Sequence, residues 1–306
     1  MTKITVVGAG NVGATTAHLA ALKNLGEIVL VDVIEGLPQG KCLDIMHSAN
    51  LEGFHIELTG SNDYAPTKDT DIVVITAGLP RKPGMTREDL LNKNAEIVKD
   101  VISKVLQYNK NPLIVTVTNP LDAMNYLVWK LTKFPRTRVI GMGGALDSTR
   151  FAYYVSKTLN VSVNNIDAMV IGSHGAAMIP LARFTTVKGR PLTEIAPADK
   201  VQAIVNETVN AGTTIVKFLK TGSAYYAPAS AICSVLDAIV HNKHKIIPCS
   251  IVVDGEYGIK LPVSIGMPVK LGKEGVEEII QLNLTEDEKK AFEKGAQEIY
   301  ELTKLL

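Results

Sequence analysis

What the sequence is short of narrows its reading first. Only three of its 306 residues are cysteine, Cys42, Cys233 and Cys249, and no two form a C-x-x-C pair. An odd count without that spacing argues against a disulfide framework and for a reducing, cytoplasmic compartment, with each thiol a small apolar filler. An excess of one charge is lacking too: 32 Lys and Arg against 31 Asp and Glu leave a net charge of +1. No global field would recruit nucleic acid or an acidic membrane, so neither is an expected partner, and any preference for anions must come from a few placed charges. Long apolar runs are missing. The run Ile4–Val7 reaches glycine at once, too short for the apolar stretch of a signal peptide or for a membrane span. An Arg- and Ser-rich transit peptide is also absent, so the fold is expected to begin at residue 2. No internal repeat, low-complexity tract or flexible linker interrupts the chain.

What is present is ordinary for a globular protein: 46% apolar and 21% charged residues. At roughly 100–200 residues per domain, the length suggests two domains, able to bury a core without disulfides or metals. In the first half, β-type runs at Ile4–Val7, Ile28–Val31, Ile72–Thr76, Ile114–Thr118 and Val139–Gly141 alternate with helical patterns at Val12–Leu25, Gly40–Ala49, Glu88–Asn109 and Pro120–Thr132. This βαβα rhythm implies a doubly wound parallel sheet covered on both faces, with right-handed crossovers. The second half is less regular. Helical patterns cover Ala145–Leu159, Ala198–Phe218 and Ala227–His241, and β runs cover Ile166–Ile171, Ile247–Tyr257 and Val263–Leu271, with an antiparallel excursion near Phe184–Val187. Thr285 and Glu288 form a capping box that starts the last helix. The expected division is an α/β domain over residues 1–143 and a mixed α+β domain over 144–306, packed with a cleft between them.

Gly8-Ala9-Gly10-Asn11-Val12-Gly13 is a G-x-G-x-x-G between a buried strand and a helix, the context that gives this common pattern meaning. Gly8 permits the tight turn, Gly10 lets a pyrophosphate approach the backbone, and Gly13 allows close helix–strand packing. The N–H groups at the helix start face the phosphates. Asp32 ends the second strand, about 20 residues further on, where a carboxylate accepts from a ribose 2′-OH and repels a 2′-phosphate. NAD is therefore the expected cofactor, rather than NADP.

Oxidation at a hydroxyl carbon needs a base for the hydroxyl proton, a cation to polarise the carbonyl in reverse, and an anchor for a carboxylate. Three segments offer such groups. Leu146-Asp147-Ser148-Thr149-Arg150 puts a carboxylate and a guanidinium on one helix face. Gly172-Ser173-His174-Gly175 follows a strand. The loop from Gly78 to Arg87 carries Arg81 and Arg87 around Pro83-Gly84 and reads as a lid. Histidine suits proton exchange near neutrality, a neighbouring carboxylate fixes its tautomer, and arginine grips a carboxylate with a planar fork.

Together, Gly8–Gly13, Thr76–Leu91, Thr118–Asp122, Leu146–Arg150 and Gly172–Gly175 resemble the lactate/malate dehydrogenase family over nearly the whole chain, and Arg81 makes the likeness strongest to lactate-dehydrogenase-like malate dehydrogenases. The resemblance implies that His174 is the acid–base with Asp147 as its partner. It implies that Arg150 holds the C1 carboxylate, Arg87 polarises the C2 carbonyl, and Asn119 hydrogen-bonds the substrate oxygen. Asn94 and Val117, with Asn119 and Gly78, are implied cofactor contacts. Ser223, before Tyr225-Tyr226-Ala227-Pro228, is a further substrate-site candidate. Arg81 would pair with the distal carboxylate of a small dicarboxylate such as malate or oxaloacetate, where pyruvate offers only a methyl group. A lactate or broader 2-hydroxy acid dehydrogenase, and a dinucleotide-binding sensor without turnover, stand as alternatives. The family implies a homo-oligomer, dimer or tetramer. With the fold expected to begin at residue 2, no room is expected for the N-terminal arm of many lactate dehydrogenases. Leu43–Met46 and Ala227–Ile239 are candidate subunit contacts.

Overall fold

Short runs of Val, Ile and Leu, too brief for helices and bounded by Gly, Asp or Asn, fold as strands covered on both faces. The computed structural model describes residues 1–80 and 85–306, with Arg87 described through its backbone alone. The first half holds Lys3–Val7 (β1), Asn11–Leu22 (α1), Glu27–Val31 (β2), Leu37–His47 (α2), Ala49–Glu52 (α3), Leu58–Ser61 (β3), Ile72–Ile75 (β4), Arg87–Tyr108 (α4), Leu113–Thr116 (β5), Leu121–Thr132 (α5) and Val139–Gly141 (β6). The second holds Gly143–Leu159 (α6), Ile166–Asp167 (β7), Val170–Gly172 (β8), Met178–Pro180 (β9), Thr186–Val187 (β10), Arg190–Pro191 (β11), Leu192–Ile195 (α7), Ala198–Leu219 (α8), Tyr226–Val240 (α9), Lys245–Val252 (β12), Ser264–Gly272 (β13), Gly275–Ile279 (β14) and Glu286–Thr303 (α10).

The strands of the first half lie in the order β3-β2-β1-β4-β5-β6, and all are parallel. This is the doubly wound order in which the winding reverses between β1 and β4, opening a crevice at the carboxyl ends of the strands. The second half does not form a separate main sheet. β12 pairs antiparallel with β6 at Ser250 and Gly141, and β13, β8 and β9 continue the same sheet outward. Only β7, β10 and β11 form a small sheet of their own.

Several local expectations shift. The run Ile166–Ile171 divides: β7 pairs with β10, whereas β8 joins the main sheet, and the Met169 N–H donates to Thr185 Oγ1 at 3.1 Å between them. Helix α2 begins at Leu37 rather than Gly40, because Pro38 falls in its first turn, where the missing N–H has no partner to lose. β3 and β14 had no clear strand signal. The capping box at Thr285 forms as expected, with the Glu288 N–H on Thr285 Oγ1 at 3.2 Å and the Thr285 N–H on Glu288 Oε2 at 2.8 Å.

The apolar face of α9 corrects a further expectation. Ile232, Cys233, Leu236 and Ile239 are buried within the chain, with α9 packed against α1, α6 and β13. Such side chains contribute about 1.5–3 kcal/mol each when buried, so the apolar face of Ala227–Ile239 serves the core of the chain, which leaves only its exposed side, including Ala227 and Ser230, for any subunit contact. In α2, by contrast, Leu43 remains 59% exposed. Among the described residues, no helix is long and apolar enough to cross a membrane.

Candidate active site

The glycine turn joins β1 to α1. Gly8 has φ +105°, a left-handed conformation that suits glycine. A Cβ on Gly13 would stand 1.7 Å from the Gly8 carbonyl oxygen, so helix and turn touch backbone to backbone. Around Gly10 the reverse holds: a Cβ there would meet nothing within 4 Å. Gly10 is also the N-cap of α1 and no side chain caps the helix, so the first N–H groups, including those of Asn11 and Val12, are open to an anion. Asp32, just past the end of β2, closes the turn from the side. Its Oδ2 accepts the Ala9 N–H at 2.6 Å and its Oδ1 the Ile34 N–H at 2.9 Å, which leaves carboxylate lone pairs for a diol. Open backbone, a free helix start and a strand-end carboxylate fit an NAD pyrophosphate and adenosine ribose.

On the other side of the crevice, the chain leaves β4 through Thr76 and Gly78. A Cβ on Gly78 would come within 2.6 Å of Thr118 Cγ2, so this segment lies against the one that follows β5. Asn94 of α4 is buried, and its amide engages backbone only: Nδ2 donates to the Leu79 carbonyl at 3.2 Å and the Asn119 carbonyl at 2.6 Å, while Oδ1 accepts the Leu79 N–H at 2.8 Å. Both amide donors are taken, so the side chain serves as a brace between loop and strand end. Val117 is half-buried, with its N–H on the Ile75 carbonyl at 3.0 Å. The Asn119 side chain is exposed at the carboxyl edge of the sheet and precedes a cis peptide to Pro120.

His174 emerges just past β8, with its Cβ 2.8 Å and the Cγ of its ring 3.0 Å from where a Cβ on Gly143 would lie. The start of α6 is thus small enough for the imidazole to lean on it. Asp147, in that helix, is 1% exposed, and its Oδ2 lies 2.7 Å from His174 Nδ1. An ionised carboxylate only accepts, so Nδ1 carries a proton and Nε2 is the nitrogen left to exchange one. Burial works to lower the imidazole pKa. The charge and hydrogen bond of Asp147 and the charge of Asp122 outweigh it, against an opposing push from Arg150, and the net direction is upward from 6.5. Arg150, one turn beyond Asp147, reaches its Oδ1 with Nη1 at 3.5 Å, a weak contact. Its Nε is buried without a partner. A buried N–H donor left unused is costly unless an anion completes it. Arg150 also lines a cavity of about 780 Å³ between α6 and α8, with Tyr153, Tyr154, Asn210 and Phe218.

His174, Asp147 and Arg150 therefore come together, as the sequence pattern requires. Arg81 lies outside the described residues. Arg87 is the first residue of α4, fixed there by a capping box between Thr86 and Asp89, and its side chain lies outside the description. Ser223 sits exposed in the turn between α8 and α9, apart from the residues that line the cavity at Arg150. A larger cavity, about 1210 Å³, opens at the opposite, amino edge of the sheet among Lys68, Asp71, Asn109 and Arg138, far from this chemistry. The three cysteines are buried, and loss of solvent pushes the Cys42 and Cys233 thiols up to about 11 and about 12, as befits inert fillers.

One group at the site had no role in the sequence reading. Asp122, in the first turn of α5, accepts the His174 backbone N–H at 2.8 Å. A carboxylate at a helix start reads as ordinary helix chemistry, and its partner is 52 residues away.

The family model for the lactate/malate dehydrogenase NAD-binding domain matches residues 2–141, and that for the α/β C-terminal domain matches residues 144–304. A malate dehydrogenase of Chlorobium chlorochromatii is 49% identical over 305 residues, covering 99% of this chain and 98% of that protein. Among solved structures, the malate dehydrogenase of Cryptosporidium parvum superposes with a TM-score of 0.95 at 39% identity, over 99% of this chain and 98% of the other. A lactate dehydrogenase from the same organism, complexed with lactic acid and nicotinamide adenine dinucleotide, reaches the same TM-score of 0.95 at 36% identity, over 99% and 97%.

Proposed function

Because the chain belongs to the lactate/malate dehydrogenase family and carries its NAD-binding domain, we propose that it interconverts (S)-malate and oxaloacetate, the tricarboxylic acid cycle reaction, with NAD. The single observation that carries this reading is the imidazole–carboxylate pair at 2.7 Å beside an arginine whose buried Nε donor is unused. When bound, NAD supplies the two-electron acceptor for malate and, reduced, the donor for oxaloacetate. Residues 1–143 would hold it, at Gly8, Gly10, Asn11, Val12, Gly13 and Asp32 on one side, and at Gly78, Val117 and Asn119 on the other. Asn94 contributes by bracing that second side. Residues 144–306 provide the proton exchange and the C1 carboxylate anchor, while Arg81, Arg87 and Asn119 of residues 1–143 supply the other substrate contacts.

In malate oxidation, His174 Nε2 takes the proton of the C2 hydroxyl, and Asp147 stabilises the resulting imidazolium. In the reverse direction the imidazolium returns that proton to the C2 oxygen. Arg150 holds the C1 carboxylate with its fork, and Arg87 polarises the C2 carbonyl. Asn119 donates to the C2 oxygen, with Ser223 a subsidiary contact. Arg81 pairs with the distal carboxylate. With pyruvate the same guanidinium would be enclosed without a partner, a mismatch worth roughly 10³–10⁵ in discrimination. The protein is taken to be cytoplasmic and a homo-oligomer, with the exposed Leu43 face of α2 as its contact candidate.

Fold does not separate malate from lactate chemistry, since both kinds of relative superpose equally well. The test is NADH oxidation measured with oxaloacetate and with pyruvate, in the parent and in Arg81→Gln. The parent should strongly prefer oxaloacetate, and the substitution should lower oxaloacetate turnover far more than pyruvate turnover. Equal losses on both substrates would remove Arg81 from the discriminating role. NADH binding without oxidation by either acid would favour a sensor.

A further inference from the structure

Beneath the base lies a carboxylate to which the reaction scheme gives no part. Asp122 is 5% exposed. Its Oδ2 accepts the His174 N–H at 2.8 Å and the Ser173 hydroxyl at 3.2 Å, and its Oδ1 accepts the Ser250 hydroxyl at 2.6 Å. Behind Ser250, Ser264 Oγ stands 2.9 Å away and accepts from Asn125 Nδ2 at 2.8 Å. That same Nδ2 donates to the Ser250 carbonyl at 3.0 Å, which fixes how the amide is turned. With Asn125 donating, the Ser264 proton turns to Ser250 and the Ser250 proton to Asp122. Every dipole in the chain then presents its positive end to the carboxylate. The start of α5 adds a further field of the same sense.

A neutral acceptor would suffice to anchor one backbone N–H. Three donors, a helix start and an oriented hydroxyl chain form a site for a charge. We propose that Asp122 is a positioning residue for the proton exchange, fixing the His174 backbone and placing a second negative charge beside the imidazole so that Asp147 does not stabilise the imidazolium alone. This rests on the reading of His174 as the acid–base. Among the described residues, the charged groups acting on the ring are Asp147 and Arg150 from α6 and Asp122 from α5. β12 brings only the Ser250 hydroxyl to the cluster, and α10 meets the same turn at Gly295, near Ser173. Burial pushes the Asp122 carboxyl above the usual carboxylate value, opposed by Ser250, by the imidazole, and by the His174 and Ser173 donors.

The test is a histidine-selective NMR titration of His174 in the parent and in Asp122→Asn, beside the pH profile of kcat/KM for oxaloacetate. The imidazole titration should move down by about one pH unit, and the falling limb of the profile should move with it while NADH affinity holds. An unmoved imidazole titration overturns the proposal, whatever happens to thermal stability. Should Asp122→Asn fail to fold, carboxyl-carbon NMR of the parent against His174→Asn decides. Two buried carboxyl resonances should lose the step they take when the imidazole titrates; loss of only one, from Asp147, overturns it. Full turnover by His174→Asn would instead bring down the acid–base reading, and the titrations tell the two failures apart because they need no turnover.

Discussion

One carbon added at Gly13 and one at Gly10 should separate packing from binding within the same turn. A Cβ on Gly13 would lie 1.7 Å from the Gly8 oxygen, half the 3.4 Å at which ordinary contact begins, and 2.8 Å from Thr76 Oγ1. Neither neighbour yields easily. The Gly8 N–H is held by the Val31 carbonyl at 2.7 Å, and Thr76 Oγ1 donates to Val7 and Gly8 carbonyls at 3.0 and 3.1 Å. Overpacking typically costs about 1–3 kcal/mol, and contact with fixed backbone puts Gly13→Ala at the upper end. At roughly 1.5–2 °C per kcal/mol for a chain of 306 residues, Tm should fall by about 5 °C. Gly10 has φ −66° and ψ −172° and open space around it. There, an unfolded-state gain of about 0.4–1 kcal/mol is set against a similar loss of a good N-cap, so Tm should scarcely move. The new carbon would nevertheless take up part of the open space at the start of α1, and NADH affinity should fall at least about tenfold, or 1.4 kcal/mol. Thermal melts and NADH fluorescence titrations read the two effects. A Gly10→Ala protein that binds NADH like its parent would show that the phosphates do not lie over this turn. A Gly13→Ala protein that melts with its parent would refute the packing argument.

Two further expectations follow from the base and the anchor. The His174 pKa is raised in the fold, so its contribution to stability is fully present below the unfolded value of about 6.5 and is lost as pH rises through the folded value. Oxaloacetate reduction needs the imidazolium, so its kcat/KM should fall above that folded value, whereas malate oxidation should rise through it. Asp147→Asn should shift both limbs to lower pH, and limbs that stay in place would mean another group titrates. Arg150→Lys keeps the charge but loses the fork. It should raise KM for oxaloacetate about tenfold or more, the equivalent of roughly one charge-assisted hydrogen bond, with NADH affinity intact. An unchanged KM would free Arg150 from the carboxylate.

The parallel half of the fold was legible because its signals are local. Apolar runs such as Ile72–Ile75 are short and β-branched and meet glycine within three residues, and the Gly8–Gly13 spacing states its own turn. Likewise Asp147 and Arg150 are three residues apart on one helix, so their shared face could be read directly. The rest depended on partners remote in sequence. Nothing near Ile166–Ile171 shows that its two ends belong to different sheets, since the choice is made by β10 and β13. Leu58–Ser61 has too few apolar residues to announce a strand, yet Gly60 lets it lie against the backbone of Pro38. Asn94 was implied to be a cofactor contact, and its bracing role was hidden because its two backbone partners lie 15 and 25 residues away. Asp122 was hidden for the same reason, its hydroxyl partner Ser250 being 128 residues on.

The antiparallel seam between Gly141 and Ser250 decides how a reactant can enter. Rotating the two halves apart, the usual hinge of a two-lobed enzyme, would tear the ladder and pull α9 out of its bed between α1 and α6. A shared sheet therefore favours admission and release that leave the two halves joined. The same frame carries α6 and β8, so Asp147 and the His174 ring meet at 2.7 Å as part of the fold itself, and the proton partner is in place before the first collision.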